Sequence, residues 1–293
     1  MTLQNILKKM KLLLFFIPDK LYLKLYYYCV FKKALHINDP KTYNEKIQWL
    51  KLYDRNPIYI DIVDKFKVRN YVNNTIGERY LVPLLGVYDS FEEIDFSSLP
   101  AKFVMKCTHD SGGVYICKDK NLINYPRLKK QFKIWLNTKY YRIAREWPYK
   151  YVKPRILIEE YLETNTKQPI RDYKFFCFNG KVQALFVASD RGIDTRFDFF
   201  DRNFNHLPFI QHYKNFDRYI ERPEDLDIMI EIAERLGNSS FPHVRVDLYN
   251  LNGIIFFGEM TLYHFGGAVP FEPPEWDEIF GEWITLPAKS LKK

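Results

Sequence analysis

At 293 residues the chain is long enough to bury a large core in one or two domains. Its apolar content of 47% and aromatic content of 17% exclude an intrinsically disordered chain, which requires low hydrophobicity. A net charge of +8 favours polyanionic partners, such as nucleotide phosphates, nucleic acid, acidic glycans or an anionic membrane face, without choosing among them.

In chain order, residues 1–60 read as helical, with breaks near Pro18 and at 37-INDPK. The early apolar run stops at Pro18-Asp19, short of the roughly 20 residues that span a bilayer, and no small-residue cleavage site follows. The favoured reading of residues 1–35 is a pair of amphipathic helices packed on the body with lysines outward. The rival is a basic, aromatic surface resting on the inner membrane face. The segment 41-KTYNEKIQWLKLY has helical spacing, and a further helix is expected from about Asp61 through DIVDKFKVRNYVNN, ending before Gly77. Short β-rich runs follow at 79-RYLVPLLGVY, 102-KFVMKCT, 114-VYICKD and 155-RILIEEYL. A helical stretch, 121-NLINYPRLKKQFKIWLNTKYYRIAREW, separates the last two. The run 172-DYKFFCFNGKVQALFVASDR predicts a hairpin turning at Asn179-Gly180. After 197-FDFFDRNF, a helix is punctuated by Pro223 in its first turn and Gly237 past its end. A last hairpin occupies 243-HVRVDLYNLNGIIFFGEMT. Helices mixed with antiparallel hairpins define an α+β chain, not a doubly wound parallel one.

The four cysteines (Cys29, Cys107, Cys117, Cys177) form no C-x-x-C pair and no zinc-type spacing. They read as reduced thiols of a cytoplasmic protein, without a metal–thiolate site. Two other stretches carry chemistry. In 102-KFVMKCTHDSGGVYIC, a strand ending in Lys106 leads into a loop with Gly112-Gly113, whose backbone N–H groups can close on an anion. The order is not that of a Walker A motif, and an ordinary turn is the plainer alternative. In the last hairpin, Asp247 and Glu259 meet only if an odd-length loop or a bulge sets the parity; a plain two-residue turn at Asn252-Gly253 sends them to opposite faces. Facing carboxylates repel unless a cation lies between them, and carboxylate oxygens are the usual protein ligands of Mg²⁺. Acids simply exposed to water are the alternative.

Lys106 with its Gly-rich loop, then I-E-E-Y-L, then R-V-D and G-E-x-T, resembles the ATP-grasp superfamily. More narrowly it is similar to the TupA-like ATP-grasp family of bacterial polysaccharide loci. The residues carrying the likeness are NEKIQWLKLYDRNP (44–57), DKFKVRNYV (64–72), KFVMKCTHDSGG (102–113), ILIEEYL (156–162), DYKFFCFNGKV (172–182) and HVRVDLYNLNGIIFFGEMT (243–261). The resemblance implies an ATP-grasp fold, two α+β subdomains gripping ATP with an N-terminal helical segment. The expected divisions are 1–60 for that segment, 61–162 for the phosphate-loop subdomain and 163–293 for the subdomain with the metal-binding hairpin.

It further implies that Lys65 and Lys106 neutralise ATP phosphates beneath the Ser111, Gly112 and Gly113 loop. Tyr161 and Leu162 would offer their backbone to the adenine edge, with Glu159 on its amino group. Asp172 would contact ribose, and Lys174 is a further phosphate ligand. Asp247, Glu259 and Thr261 would hold Mg²⁺, and Arg245 would stabilise the transferring phosphoryl group. Thr261 departs from the family pattern, which commonly places Asn there. Around the substrate, Arg191 and Arg196 can clamp a carboxylate, with salt bridges to Asp190, Asp194 or Asp198 as the alternative. His109, His264, Gly266 and Gly267 would border the same region. The implied activity is an ATP- and Mg²⁺-dependent carboxylate–amine ligase. It would join a uronic acid or other glycan acid, as a sugar nucleotide, to an amine by way of an acyl phosphate. A sugar kinase, a glycosyltransferase of polysaccharide biosynthesis and a non-catalytic polyanion-binding module are the alternatives. No nucleic-acid motif is present.

Overall fold

The structure is a computed structural model that describes residues 14–163, 170–189, 194–251 and 253–289. Arg191 lies outside them. Two compact units emerge, one from residues 57–163 and the other from 14–56 joined to the residues beyond 163. Of the expected N-terminal segment, residues 14–56 fall in the second unit and 57–60 in the first.

That unit opens with a 3₁₀ turn at Leu14–Phe16, helix α1 (Asp19–Phe31) and helix α2 (Tyr43–Tyr53). Helix α2 starts at a capping box. The Thr42 hydroxyl accepts from Glu45 N, and the Glu45 carboxylate accepts from the Thr42 and Lys41 N–H groups.

In the first unit, the single helix expected from Asp61 is two helices, α3 (Ile58–Val63) and α4 (Val68–Ile76). Asp64 breaks it. Its backbone is extended and its Oδ1 accepts from Phe66 N at 2.9 Å and Lys67 N at 3.3 Å, a local turn that competes with helix. Four strands follow, β1 (Leu84–Tyr88), β2 (Phe103–Cys107), β3 (Val114–Cys117) and, after helices α5 (Tyr125–Leu136) and α6 (Tyr141–Ala144), β4 (Ile156–Glu160). They form an antiparallel sheet in the order β1-β4-β2-β3. Alternation puts Phe103, Met105, Ile156 and Ile158 on the face that packs with Leu128 and Phe132 of α5. Val104, Lys106, Leu157 and Glu159 therefore share the opposite face.

The second unit resumes with β5 (Asp172–Phe178), β6 (Lys181–Ser189) and β7 (Arg196–Asp201). Helix α7 (Leu226–Leu236), β8 (His243–Leu251), β9 (Ile254–Thr261) and helix α8 (Glu275–Glu282) complete it. The β5–β6 turn has positive φ at both Asn179 and Gly180, as a tight hairpin between twisted strands needs. Helix α7 starts three residues after Pro223, so the proline precedes the helix instead of sitting in its first turn. The antiparallel order is β7-β6-β5-β8-β9. On one sheet face, Phe176, Phe178, Phe186 and Phe199 build an aromatic layer with Phe209 and Phe280.

Helix α8, absent from the sequence reading, supplies Phe280 to that layer and is tied to α2. The Asn44 side chain donates to Asp277 at 2.9 Å, and Lys46 Nζ donates to the carbonyls of Gly281 and Ile284 at 2.8 Å each. A side chain at Gly281 would drive into the Lys41 carbonyl and stand 2.8 Å from Tyr43 N. Gly281→Ala is therefore expected to cost about 2 kcal/mol, read as a lower denaturation midpoint at unchanged slope.

Candidate functional site

The first unit carries the loop and lysines expected to meet an anion. In the β2–β3 loop, Thr108, His109, Asp110 and Gly113 are buried while Ser111 and Gly112 are exposed. Cys107 N donates to Gly113 O, and Val114 N to Gly112 O, so the loop closes on itself. Lys65 anchors it from outside. Its backbone N donates to Thr108 O at 3.1 Å and its ammonium bonds the Asp110 carbonyl. Gly113 is small because the Asp110 carboxylate presses on it; an added Cβ would stand 2.8 Å from Oδ1. Gly112 has φ 111° and would meet nothing, so the tip faces open space. Exposed backbone at a left-handed glycine, with lysines leading in, fits the phosphates of a nucleotide.

Lys106 projects from the sheet face opposite α5 with its Nζ 2.6 Å from Glu159 Oε2, and Arg69 Nη1 lies 2.8 Å from Oε1. The resemblance assigned Glu159 to the adenine amino group. In the structure both its oxygens are engaged by cations, so it acts as counter-ion to Lys106 and Arg69. Tyr161 and Leu162, just past β4, are partly buried. His109 is buried, and that burial holds its pKa below the usual imidazole range.

The second unit carries the acidic hairpin. Leu251 pairs with Ile254, so a two-residue connection joins the arms. Yet Asp247 pairs directly with Glu259, because the register shifts by one residue between Leu248–Phe257 and Asp247–Glu259. Gly258 is the extra residue, a bulge placed well inside the hairpin. A Cβ there would stand 3.1 Å from the Asp247 carbonyl and from the Tyr249 ring.

The bulge sets Glu259 and Thr261 on the face where alternation along β5 and β8 already places Asp172, Lys174, Arg245 and Asp247. Arg245 Nε and Nη2 donate to Asp247 at 2.6 and 2.7 Å. Nη2 also reaches Glu259 Oε1 at 2.9 Å and Thr261 Oγ1 at 3.0 Å. Lys174 bonds the second Asp247 oxygen and lies 2.7 Å from Asp172 Oδ2. The cation between the two facing acids is thus the Arg245 guanidinium. Burial pushes the Asp247 carboxyl up against the pull of Arg245 and Lys174, while Asp247 and Glu259 hold Arg245 protonated.

The donor set fits Mg²⁺ in kind, since Asp247, Glu259 and Thr261 present hard oxygens on one face and the Glu259 side chain is 46% exposed. Among the described residues no group of three or more His, Cys, Asp or Glu is gathered around a common point.

His264 is buried, with Nδ1 2.7 Å from Arg245 Nη1 and Nε2 3.0 Å from Gln211 Oε1. A guanidinium only donates, so Nδ1 accepts and the proton sits on Nε2, facing Gln211. The relay Gln211–His264–Arg245 fixes the guanidinium plane. Gly266 and Gly267 form a left-handed turn whose carbonyls accept from α2: Lys51 Nζ to Gly266 O at 2.6 Å, and Gln48 Nε2 to Gly267 O at 2.6 Å. Arg196 pairs with Asp194 at 2.6 Å, the alternative its sequence context allowed.

Arg69, Gln211, Gln48 and Lys51 had no role in the sequence reading. For Gln48 and Lys51 a signal existed, because polar residues recur through NEKIQWLKLY on turns that also carry its core. Gln211 offered none.

Burial lowers the pKa of His243 to about 3, and that of His264 falls far below the usual range. Tyr43 Oη stands 2.9 Å from His243 Nε2. Below pH ~6.5 the unfolded chain binds protons that the folded one refuses, so stability falls with pH by about 1.4 kcal/mol per unit for each such histidine. For His243 the loss runs from pH ~6.5 down to about 3. Thermal melts at pH 7.5 and 5.5 are expected to show the drop, and His243→Gln to flatten it.

The family model for TupA-like ATP-grasp proteins matches residues 45–285. The chain belongs to the TupA-like ATP-grasp family. The two antiparallel sheets with their helices are the α+β ATP-grasp fold. No curated protein matches the sequence. Among solved structures, D-alanine–D-alanine ligase from Bacillus anthracis complexed with ATP is 17% identical at a TM-score of 0.40, with 69% of this chain and 54% of that chain covered. The ATP-grasp ligase PsnB complexed with minimal precursor is 11% identical at 0.40, covering 75% and 59%. An ATP-grasp RimK domain protein from Sphaerobacter thermophilus DSM 20745 is 11% identical at 0.44, covering 92% and 95%. The chain thus spans a little over half the length of that D-alanine–D-alanine ligase.

Proposed function

We propose that the chain is an ATP- and Mg²⁺-dependent carboxylate–amine ligase that forms an amide on a precursor of a bacterial surface polysaccharide, such as a uronic acid joined to an amino acid. The observation that carries this reading is the Arg245–Asp247–Glu259–Thr261 cluster, on one face of the bulged hairpin in a TupA-like ATP-grasp chain. ATP supplies the phosphoryl group that activates the carboxylate, and Mg²⁺ offsets its charge.

Lys65 and Lys106, with the Ser111–Gly113 loop, would hold the phosphates, and the backbone at Tyr161 and Leu162 the adenine edge. Asp172 would meet ribose. Asp247, Glu259 and Thr261 would hold the metal, which must compete with Arg245 for Glu259. Arg245 would then meet the transferring phosphoryl group. Lys174 serves this arrangement by positioning Asp247, and Gln211 and His264 by positioning Arg245.

The deciding assay is ADP release against uronic acid nucleotides crossed with amino acids, with Asp247→Asn as the blank. Release that needs both acid and amine is the expected result. A phosphorylated sugar formed without amine identifies a kinase instead, and absence of saturable ATP binding rules out both.

A further inference from the structure

Helix α1 divides its apolar residues between two faces. Tyr22, Leu23 and Tyr27 are buried, whereas Leu21, Leu25 and Tyr28, spaced i, i+4 and i+7, are 50%, 51% and 57% exposed. Phe16, just before the helix, is 72% exposed. Lys20 and Lys24 on the helix are exposed, as are Lys32 and Lys33 just past its end, and the helix contains one acid, Asp19. A helix packed with lysines outward and apolar groups inward, the favoured sequence reading, would bury Leu21 and Leu25. Here the apolar stripe and the lysines face outward together. No helix among the described residues is long and apolar enough to cross a membrane.

We propose that this outward face of α1, with Phe16, docks on an anionic lipid surface. The apolar side chains enter the boundary between headgroups and acyl chains, Tyr28 lies at headgroup level, and the four lysines meet lipid phosphates. Charge complementarity selects this occupant: a second copy of the chain would bring the same lysines against each other.

The test is co-sedimentation of the full chain with vesicles of phosphatidylcholine alone or with about one third phosphatidylglycerol. Strong binding is expected only with the anionic vesicles, weakening by about fivefold for each lysine neutralised in Lys20→Gln/Lys24→Gln and falling with salt. Leu21→Glu/Leu25→Glu is expected to reduce binding at least ~10-fold at an unchanged melting temperature, because both side chains are exposed. The proposal is overturned if the unaltered chain ignores anionic vesicles, or if both variants bind as it does. It also falls if the chain dimerises through this face, with the glutamate variant monomeric in the absence of lipid.

Discussion

Asp247→Asn is expected to lower the unfolding free energy by about 3 kcal/mol and to cut ADP release at least ~100-fold. The two effects have separate origins. Asp247 is buried and shared by Arg245 and Lys174, so removing its charge leaves two buried cations leaning on Glu259 and Asp172. An amide of the same shape preserves packing but not the pairing, which isolates the electrostatic loss. Urea melts measure it. Activity is then compared at a temperature where both proteins are folded. Wild-type ADP release from the folded variant would remove Asp247 from the proposed metal site.

Lys106→Met is expected to weaken ATP binding by about 10- to 100-fold while costing about 1–2 kcal/mol of stability. Lys106 is partly buried beside Glu159, and after its loss Glu159 keeps Arg69 as partner. Glu159→Gln separates two roles for that acid. A direct contact with the adenine amino group predicts a lost preference for ATP over GTP. A counter-ion role predicts an unchanged preference with reduced stability. The geometry favours the second outcome, and competitive nucleotide titrations decide it.

These expectations show where residues alone carried the reading and where they did not. The hairpin arms, the Asn179-Gly180 turn and the Lys106 strand with its glycine loop were legible because alternation and turn chemistry are local. The facing of Asp247 and Glu259 was left open because parity depends on one extra residue, and a bulge at Gly258 looks like any other glycine in a strand. The identity of the cation between the acids was hidden for a different reason. Arg245 was read as a stabiliser of the transferring phosphoryl group, and only the folded chain shows its side chain reaching both carboxylates. The cations that meet Glu159 were equally hidden, since Arg69 and Lys106 are 90 and 53 positions from it in the chain. Helix α8 escaped because its short run is fixed by Phe280 and the α2 side chains, not by its own pattern.

Gly258 also divides the hairpin into two stretches that keep count independently. On the outer side the ladder runs from the tip to Leu248–Phe257; on the inner side it restarts at Asp247–Glu259. Deleting Gly258 would leave both stretches in step, since the ladder would close without a bulge and the two acids would still face each other. Deleting Met260 would not, because Thr261 would turn to the face opposite Arg245. Tolerance to a lost residue is therefore set by position relative to a single glycine, and the outer arm is free to change length in ways that the inner arm is not.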